Sequence, residues 1–199
     1  MSRTCVREAF KSLEMLQLIT VRPKIGAVVL EPSSVALINA EHLSASAYMQ
    51  HTDVLVEFRK ILEVGLASLA AEKRTEEDLV IIRQALTDFE RAVKTDRVAH
   101  YADVAFHKAI ADATKNPLAT LVLKTISEVL IERSRHMNQI PGVLEEGLRQ
   151  HRKIYLAIKE QNAENARKAM RMHMLTVERN TQVLRAAEEL NENAAIPRA

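Results

Sequence analysis

No disulfide can form within this 199-residue chain, because Cys5 is its only cysteine. A lone thiol fits a reducing compartment, and nothing near Cys5 pairs it with a catalytic base. Tryptophan is missing altogether, and there are only four glycines and five prolines. So few breakers, beside abundant Ala, Leu, Glu, Lys and Arg, argue against a loop-rich or β-rich fold and for helices. No stretch of about 18 consecutive apolar residues occurs, so no transmembrane helix is expected and no membrane partner. Met1 to Lys11 carry charges where a signal peptide needs an apolar core, so a cytoplasmic location is expected. The net charge of +2 is too small to indicate a partner. The length allows one sizeable core, or a small domain with a larger one.

What is present is a set of histidines with a carboxylate. Asp103 and His107 stand four residues apart in the segment Tyr101-Ala102-Asp103-Val104-Ala105-Phe106-His107. On a helix that spacing puts both on one face, one turn apart. Their apolar neighbours place the face near a core, where an unpartnered carboxylate or imidazole is costly. His151 and His173 each lie eleven residues from Asn162 (162 − 151 = 11; 173 − 162 = 11), which sits at the joint of two helical segments. If those segments form an antiparallel hairpin, both histidines come to the same height. Packed against the Asp103 helix, they complete an Asp, His, His, His set. Such a set suits zinc first, with nickel, manganese, iron or cobalt as other choices. No further acid or base stands beside these four in the sequence, since Asp112 faces away from His107. An Asp/His pair at this spacing also occurs as an ordinary surface or capping pair.

The N-terminal residues form a separate pattern. Ser2 is a good N-cap for a helix to about Leu18, with Val6, Phe10, Leu13, Leu16 and Leu18 as its buried stripe. Ile19 to Arg22 and Ala27 to Leu30 flank a basic tip with Gly26, which reads as a short β-hairpin. A basic helix followed by a hairpin matches the end of a winged helix-turn-helix, whose helix enters the major groove. A small helix-hairpin piece with scattered surface charge fits the same pattern. Residues 2 to 19, followed by Val21-Arg22-Pro23 and Gly26, resemble the recognition helix and wing of the GntR family of bacterial transcription regulators. The resemblance implies that Arg3, Thr4, Arg7 and Gly26 contact DNA. Members of that family carry further helices upstream, so the chain is expected to begin inside the DNA-binding domain and lack its N-terminal part.

Glu31-Pro32-Ser33-Ser34 breaks this pattern, and a linker helix is expected to about Met49. The expected fold is all-α, a partial winged helix-turn-helix followed by an antiparallel bundle of six to seven helices. The segments are 1–31 for the partial DNA-binding domain, 32–51 for the linker helix, 52–190 for the helical domain and 191–199 for a frayed tail. Helices are read over Val54 to Glu72, Thr75–Asp78 to Lys94, Asp96 to near Asn116, Pro117 to His136, Val143 to Glu160 and Ala163 to Leu190. Met170, Met172 and Met174 read as core filling. The region from 52 to about 185 resembles the FCD domain of the FadR subfamily. That likeness rests on Glu57 to Glu63, Asp103 to His107, Asn116-Pro117, His151 with Ile154, Ala157 and Ile158, and Ala166 to His173. In the metal-binding branch of that family an Asp and three His hold a divalent ion, which implies Asp103, His107, His151 and His173 here. The resemblance also implies a homodimer and a small carboxylate or sugar-acid effector held by Arg59. Arg133, Met137 and Asn116 are further candidates for the effector pocket, although the place of Asn116 before a proline better suits C-capping of the helix before it.

The function expected is a metabolite-responsive transcription repressor acting on operator DNA, and not an enzyme. Two alternatives remain at this point. One is a metal-dependent hydrolase or lyase. The other is a truncated effector-binding or dimerising module without DNA binding.

Overall fold

A computed structural model describes residues 6–7, 10–11, 13–14, 19–22, 26–29, 52–95 and 99–195. The chain divides into two units, Met1–Gln50 and His51–Ala199.

In the first unit, Val6, Arg7, Phe10, Lys11, Leu13 and Glu14 are helical. Strands β1 (Ile19–Arg22) and β2 (Gly26–Val29) pair antiparallel, Ile19 opposite Val29 and Arg22 opposite Gly26. Gly26 has φ +97°, a left-handed conformation that a side chain would strain, which explains glycine at the edge of the turn. Glu14 Oε1 accepts a hydrogen bond from Val21 N at 2.7 Å and ties helix to hairpin. The expected buried stripe needs correction, because Val6, Phe10 and Leu13 are 36–40 % exposed. Among the described residues of this unit the hairpin is the only other element, and two short strands cannot cover a helix face. Arg7 and Gly26 are exposed, as a DNA contact requires. Arg3, Thr4 and the linker helix expected over 32–51 lie outside the described residues.

The second unit is a bundle of six described helices: α1 (Thr52–Lys73), α2 (Glu76–Thr95), α3 (Ala99–Ala113), α4 (Pro117–Met137), α5 (Val143–Lys159) and α6 (Ala163–Ala195). Local chemistry sets most of their ends. Thr75 and Asp78 form a reciprocal capping box at the start of α2. The Asp78 carboxylate accepts from Thr75 N at 2.8 Å, and Thr75 Oγ1 accepts from Asp78 N at 3.2 Å. Pro117 opens α4, where its missing N–H costs nothing. The α6 helix runs to Ala195, so the tail expected from residue 191 is helical for five residues more. Extending a helix already nucleated adds a hydrogen bond for each residue fixed, so it passes Asn191 and Asn193 and ends on two strong helix formers, Ala194 and Ala195.

The α5–α6 turn is closed by its own backbone. Gln161 takes φ +53°, Asn162 N donates to Ala157 O at 2.9 Å, and Gln161 N donates to Ile158 O at 3.1 Å. This is a Schellman ending. Asn162 Oδ1 then accepts from Asn165 N at 2.9 Å and caps α6. Arg74 Nη2 donates to Lys159 O at 2.7 Å, satisfying a further carbonyl at the end of α5. The turn is therefore short and well bonded, and it sets the register of two antiparallel helices.

The core is lined by Ile82, Phe89, Phe106, Ile110, Ile154, Ile158, Met170 and Met174, with small Ala67, Ala70, Ala71 and Ala166 allowing close helix approach. Helix α1 packs on α6, α3 on α2 and α4, and α5 on α6 and α2. Met172, expected with its neighbours in the core, is 59 % exposed. It is two residues from both Met170 and Met174, which puts it on the opposite side of the helix.

Candidate metal and effector site

Three helices bring their imidazoles together in the middle of this bundle. His107 comes from α3, His151 from α5 and His173 from α6. One ligand atom from each lies within 4.8 Å of the others. All three rings are buried, His151 completely. The Schellman turn explains the pairing of His151 with His173, whose ring centroids are 4.8 Å apart. Asp103 sits at the edge of the group. Its Oδ1 lies 3.5 Å from His151 Nε2 and 4.0 Å from His107 Nε2.

Each ring is oriented differently. His107 Nδ1 is in contact with Glu63 Oε2 on α1, and Glu63 Oε1 accepts from Arg59 Nε at 2.5 Å. His173 Nδ1 is 3.0 Å from Gln150 Oε1. The Gln150 amide nitrogen donates to Glu146 at 2.6 Å and to Thr176 Oγ1 at 2.8 Å, so its oxygen is the end facing His173. His173 Nδ1 therefore carries the proton, and its Nε2 is left as a lone pair. His151 has no polar support. Its ring lies between Phe106, at a centroid distance of 4.4 Å, and Phe89, at 4.9 Å.

Burial, and then the neighbouring His107, holds the His151 imidazole well below its usual pKa. His173 is held well below by burial and then by His151 and His107. Burial alone would raise the Glu63 pKa, but Arg59 and then His107 outweigh it, so Glu63 stays ionised. The result is two neutral rings, His151 and His173, close to the ionised Glu63, and neutral imidazole is the form that ligates a divalent cation.

The donor atoms pass a test of fit. His107 Nε2 and both ring nitrogens of His151 are buried without a hydrogen-bond partner. Leaving such atoms unsatisfied costs about 1–3 kcal/mol each, so a cluster of them calls for an ion. Ligand atoms about 2.1 Å from one ion stand roughly 3.0 Å apart in octahedral and 3.4 Å apart in tetrahedral positions. The 3.5 Å separation of Asp103 from His151 lies close to that range, while its 4.0 Å from His107 and the span of up to 4.8 Å among the three imidazole atoms are wider, so the ligands would draw in around an ion.

A cavity of about 710 Å³, counted with its open mouth, adjoins the cluster. Asp103 and His173 reach its wall, together with Arg59, Arg133, Met137 and Gln150.

Comparison with known proteins gives this arrangement its context. The FCD domain family matches residues 54–176, which is more than half of the chain. The regulator LutR of Bacillus subtilis is 35 % identical over 184 residues, covering 89 % of this chain and 83 % of LutR. This chain belongs to the GntR family of transcription regulators, with an FCD domain. The Uxu operon transcriptional regulator of Escherichia coli is 30 % identical, over 88 % of this chain and 71 % of that protein. A solved structure of Streptococcus agalactiae GntR superposes with a TM-score of 0.61 at 27 % identity, over 90 % of this chain and 82 % of that one. These relatives are transcription regulators, so the hydrolase or lyase alternative is set aside.

The residues at and around the site of this FCD-domain regulator fall into three groups. Asp103, His107, His151 and His173 are together, and Arg59, Arg133 and Met137 line the adjoining cavity. Asn116 is not among the residues lining that cavity. It is exposed, and its Oδ1 accepts from Leu118 N at 3.1 Å, so it is the N-cap of α4 rather than an effector contact. The C-capping role that its place before a proline suggested is also corrected, because α3 ends earlier, at Ala113. The third group is what the sequence left unseen. Glu63 is a carboxylate beside the ligands, where none was expected, because it lies on α1, forty residues from Asp103 in sequence, and only the packing of α1 against α3 brings it to His107. Gln150 gave no signal, since adjacent residues on a helix point about 100° apart and the hairpin symmetry that marks His151 does not mark its neighbour. Asp112 does face away, where it accepts from Lys108 Nζ and Thr120 Oγ1, both at 2.8 Å.

Proposed function

We propose that this regulator is a repressor whose helical unit senses a small organic acid at a divalent metal ion, zinc in the first place. Asp103, His107, His151 and His173 would hold the ion. The observation that carries this reading is the set of buried, unpartnered imidazole nitrogens converging beside a cavity that also presents Arg59 and Arg133. A bound ion supplies a positive charge that favours an anionic ligand, and four protein ligands leave room for a carboxylate on an ion of five or six partners. The two guanidinium groups suit the remaining carboxylate or hydroxyl groups of a dicarboxylic or sugar acid. Arg59 keeps its charge because the Glu63 carboxylate outweighs the effect of burial.

The chain would act as a homodimer in the cytoplasm, with Arg3, Thr4, Arg7 and Gly26 on operator DNA. Acid binding would repack the helices and change operator affinity, since half-site spacing is set by the DNA. Elemental analysis of the purified protein beside a His151→Ala variant tests the site. About one divalent ion per chain in the wild type, largely lost in the variant, is the expected result. A wild type that holds no metal and gains no thermal stability from zinc or nickel refutes it. A thermal-shift panel of carboxylates on the metal-loaded protein then identifies the acid.

A further inference from the structure

Glu63 is only 2 % exposed, yet it stands on α1 four residues from a fully charged arginine, a spacing usually met at surfaces. Burying a carboxylate costs several kcal/mol unless each oxygen is bonded. The two oxygens here are divided between two different groups. Oε1 accepts from Arg59 Nε at 2.5 Å, and Oε2 contacts His107 Nδ1. A carboxylate on one imidazole nitrogen holds the proton there and leaves the other nitrogen as a lone pair. In His107 that other nitrogen is Nε2, a buried atom without a hydrogen-bond partner that stands 4.0 Å from Asp103 Oδ1, while Nδ1 meets Glu63 Oε2 as a close contact rather than an aligned hydrogen bond. The remaining rings are held by other means, His173 by the neutral amide of Gln150 and His151 between Phe89 and Phe106. Among the described residues, Glu63 is thus the one anion set behind a ring of the cluster. It is also bonded to an arginine of the effector cavity.

We propose that Glu63 is a positioning residue that joins the two halves of the site, orienting His107 toward the ion and Arg59 toward the acid through one carboxylate. This rests on the reading of the cluster as a metal site. Replacing Glu63 removes no ligand, yet it weakens the hold on the ion, because His107 loses the partner that sets its tautomer and direction.

Zinc affinity measured by competition with a chromophoric chelator, together with the visible spectrum of the cobalt-loaded protein, tests this on three proteins. They are the wild type, His151→Ala and Glu63→Gln. Glu63→Gln is expected to keep all four ligands, weaken zinc about 10–100-fold and shift the cobalt bands. A purely structural Glu63 would lower the unfolding temperature and leave both zinc affinity and cobalt spectrum unchanged, which overturns the proposal. If Glu63→Gln does not fold, the double variant R59M/E63Q removes the charge pair together and carries the test. Zinc binding at least tenfold weaker than wild type is expected there, and wild-type affinity in the folded double variant overturns the proposal. Should the wild type bind no zinc, or His151→Ala bind it equally well, the metal reading itself fails and Glu63 loses its role with it. That outcome differs from a sound metal site that ignores Glu63.

Discussion

Replacing His151 by leucine is expected to raise the stability of the metal-free protein and lower that of the zinc-loaded one. The His151 ring is completely buried, and neither of its nitrogens has a hydrogen-bond partner. Burial and His107 keep it neutral, so at pH 7 the comparison is between a neutral ring and an apolar side chain. Stranding polar atoms in the interior costs about 1–3 kcal/mol. Leucine is close in size and still fills the slot between Phe89 and Phe106, so the cavity penalty of alanine is avoided and shape mismatch stays under about 1.5 kcal/mol. The expected gain without metal is about 1 kcal/mol, or roughly 2–4 °C in a unit of this size. Zinc at a hundredfold excess over its dissociation constant adds about 2.7 kcal/mol to the wild type. The variant has lost a ligand and gains much less. Thermal unfolding in excess chelator and in zinc measures both differences. The order of melting temperatures is expected to reverse between the two conditions. A variant that melts well below wild type in chelator refutes the idea that the ring is held at a cost. Equal zinc shifts in both proteins refute the assignment of His151 to the ion.

Three other outcomes are expected. Asn116→Ala removes the acceptor for Leu118 N and should cost about 1 kcal/mol in urea unfolding; zinc affinity should not change, and a loss of zinc would place Asn116 in the site after all. Asp78 is opposed by its burial but favoured by Lys115 and Thr75, which hold its carboxyl below the usual 3.8. Its contribution is therefore present above about pH 3.8 and lost as pH falls through the lower folded value, so the stability gap between wild type and Asp78→Asn should narrow from pH 7 toward pH 2. A gap independent of pH would contradict that. Arg133→Gln should weaken any carboxylate found by thermal shift about tenfold or more, the size of a charge-assisted hydrogen bond, with zinc affinity held; unchanged carboxylate affinity would remove Arg133 from the pocket.

Several helix ends were legible in the sequence. Thr75 with Asp78, Pro117, and Gln161-Asn162 mark them through bonds that close within a few residues. Such signals are local, so one chain suffices to read them. The helix outran the expected tail: residues 191 to 195 carry no apolar period, yet a helix already nucleated continues through them to Ala195. The stripe on the first helix failed because an apolar face predicts a partner surface without supplying one. Val6, Phe10 and Leu13 remain exposed.

The site divides in the same way. Asp103 with His107 follows from 3.6-residue periodicity, and His151 with His173 from a symmetric hairpin, so the sequence alone determined which residue types would face one another. Only the tertiary structure decided what stands behind them. Gln150 and Glu63 reach His173 and His107 from other helices, and Phe89 and Phe106 enclose His151 from two more. These contacts depend on the rotation of each helix about its own axis when several pack at once. That rotation is set by the summed fit of the small alanines and large apolar side chains in the core, and no spacing along a single chain encodes it.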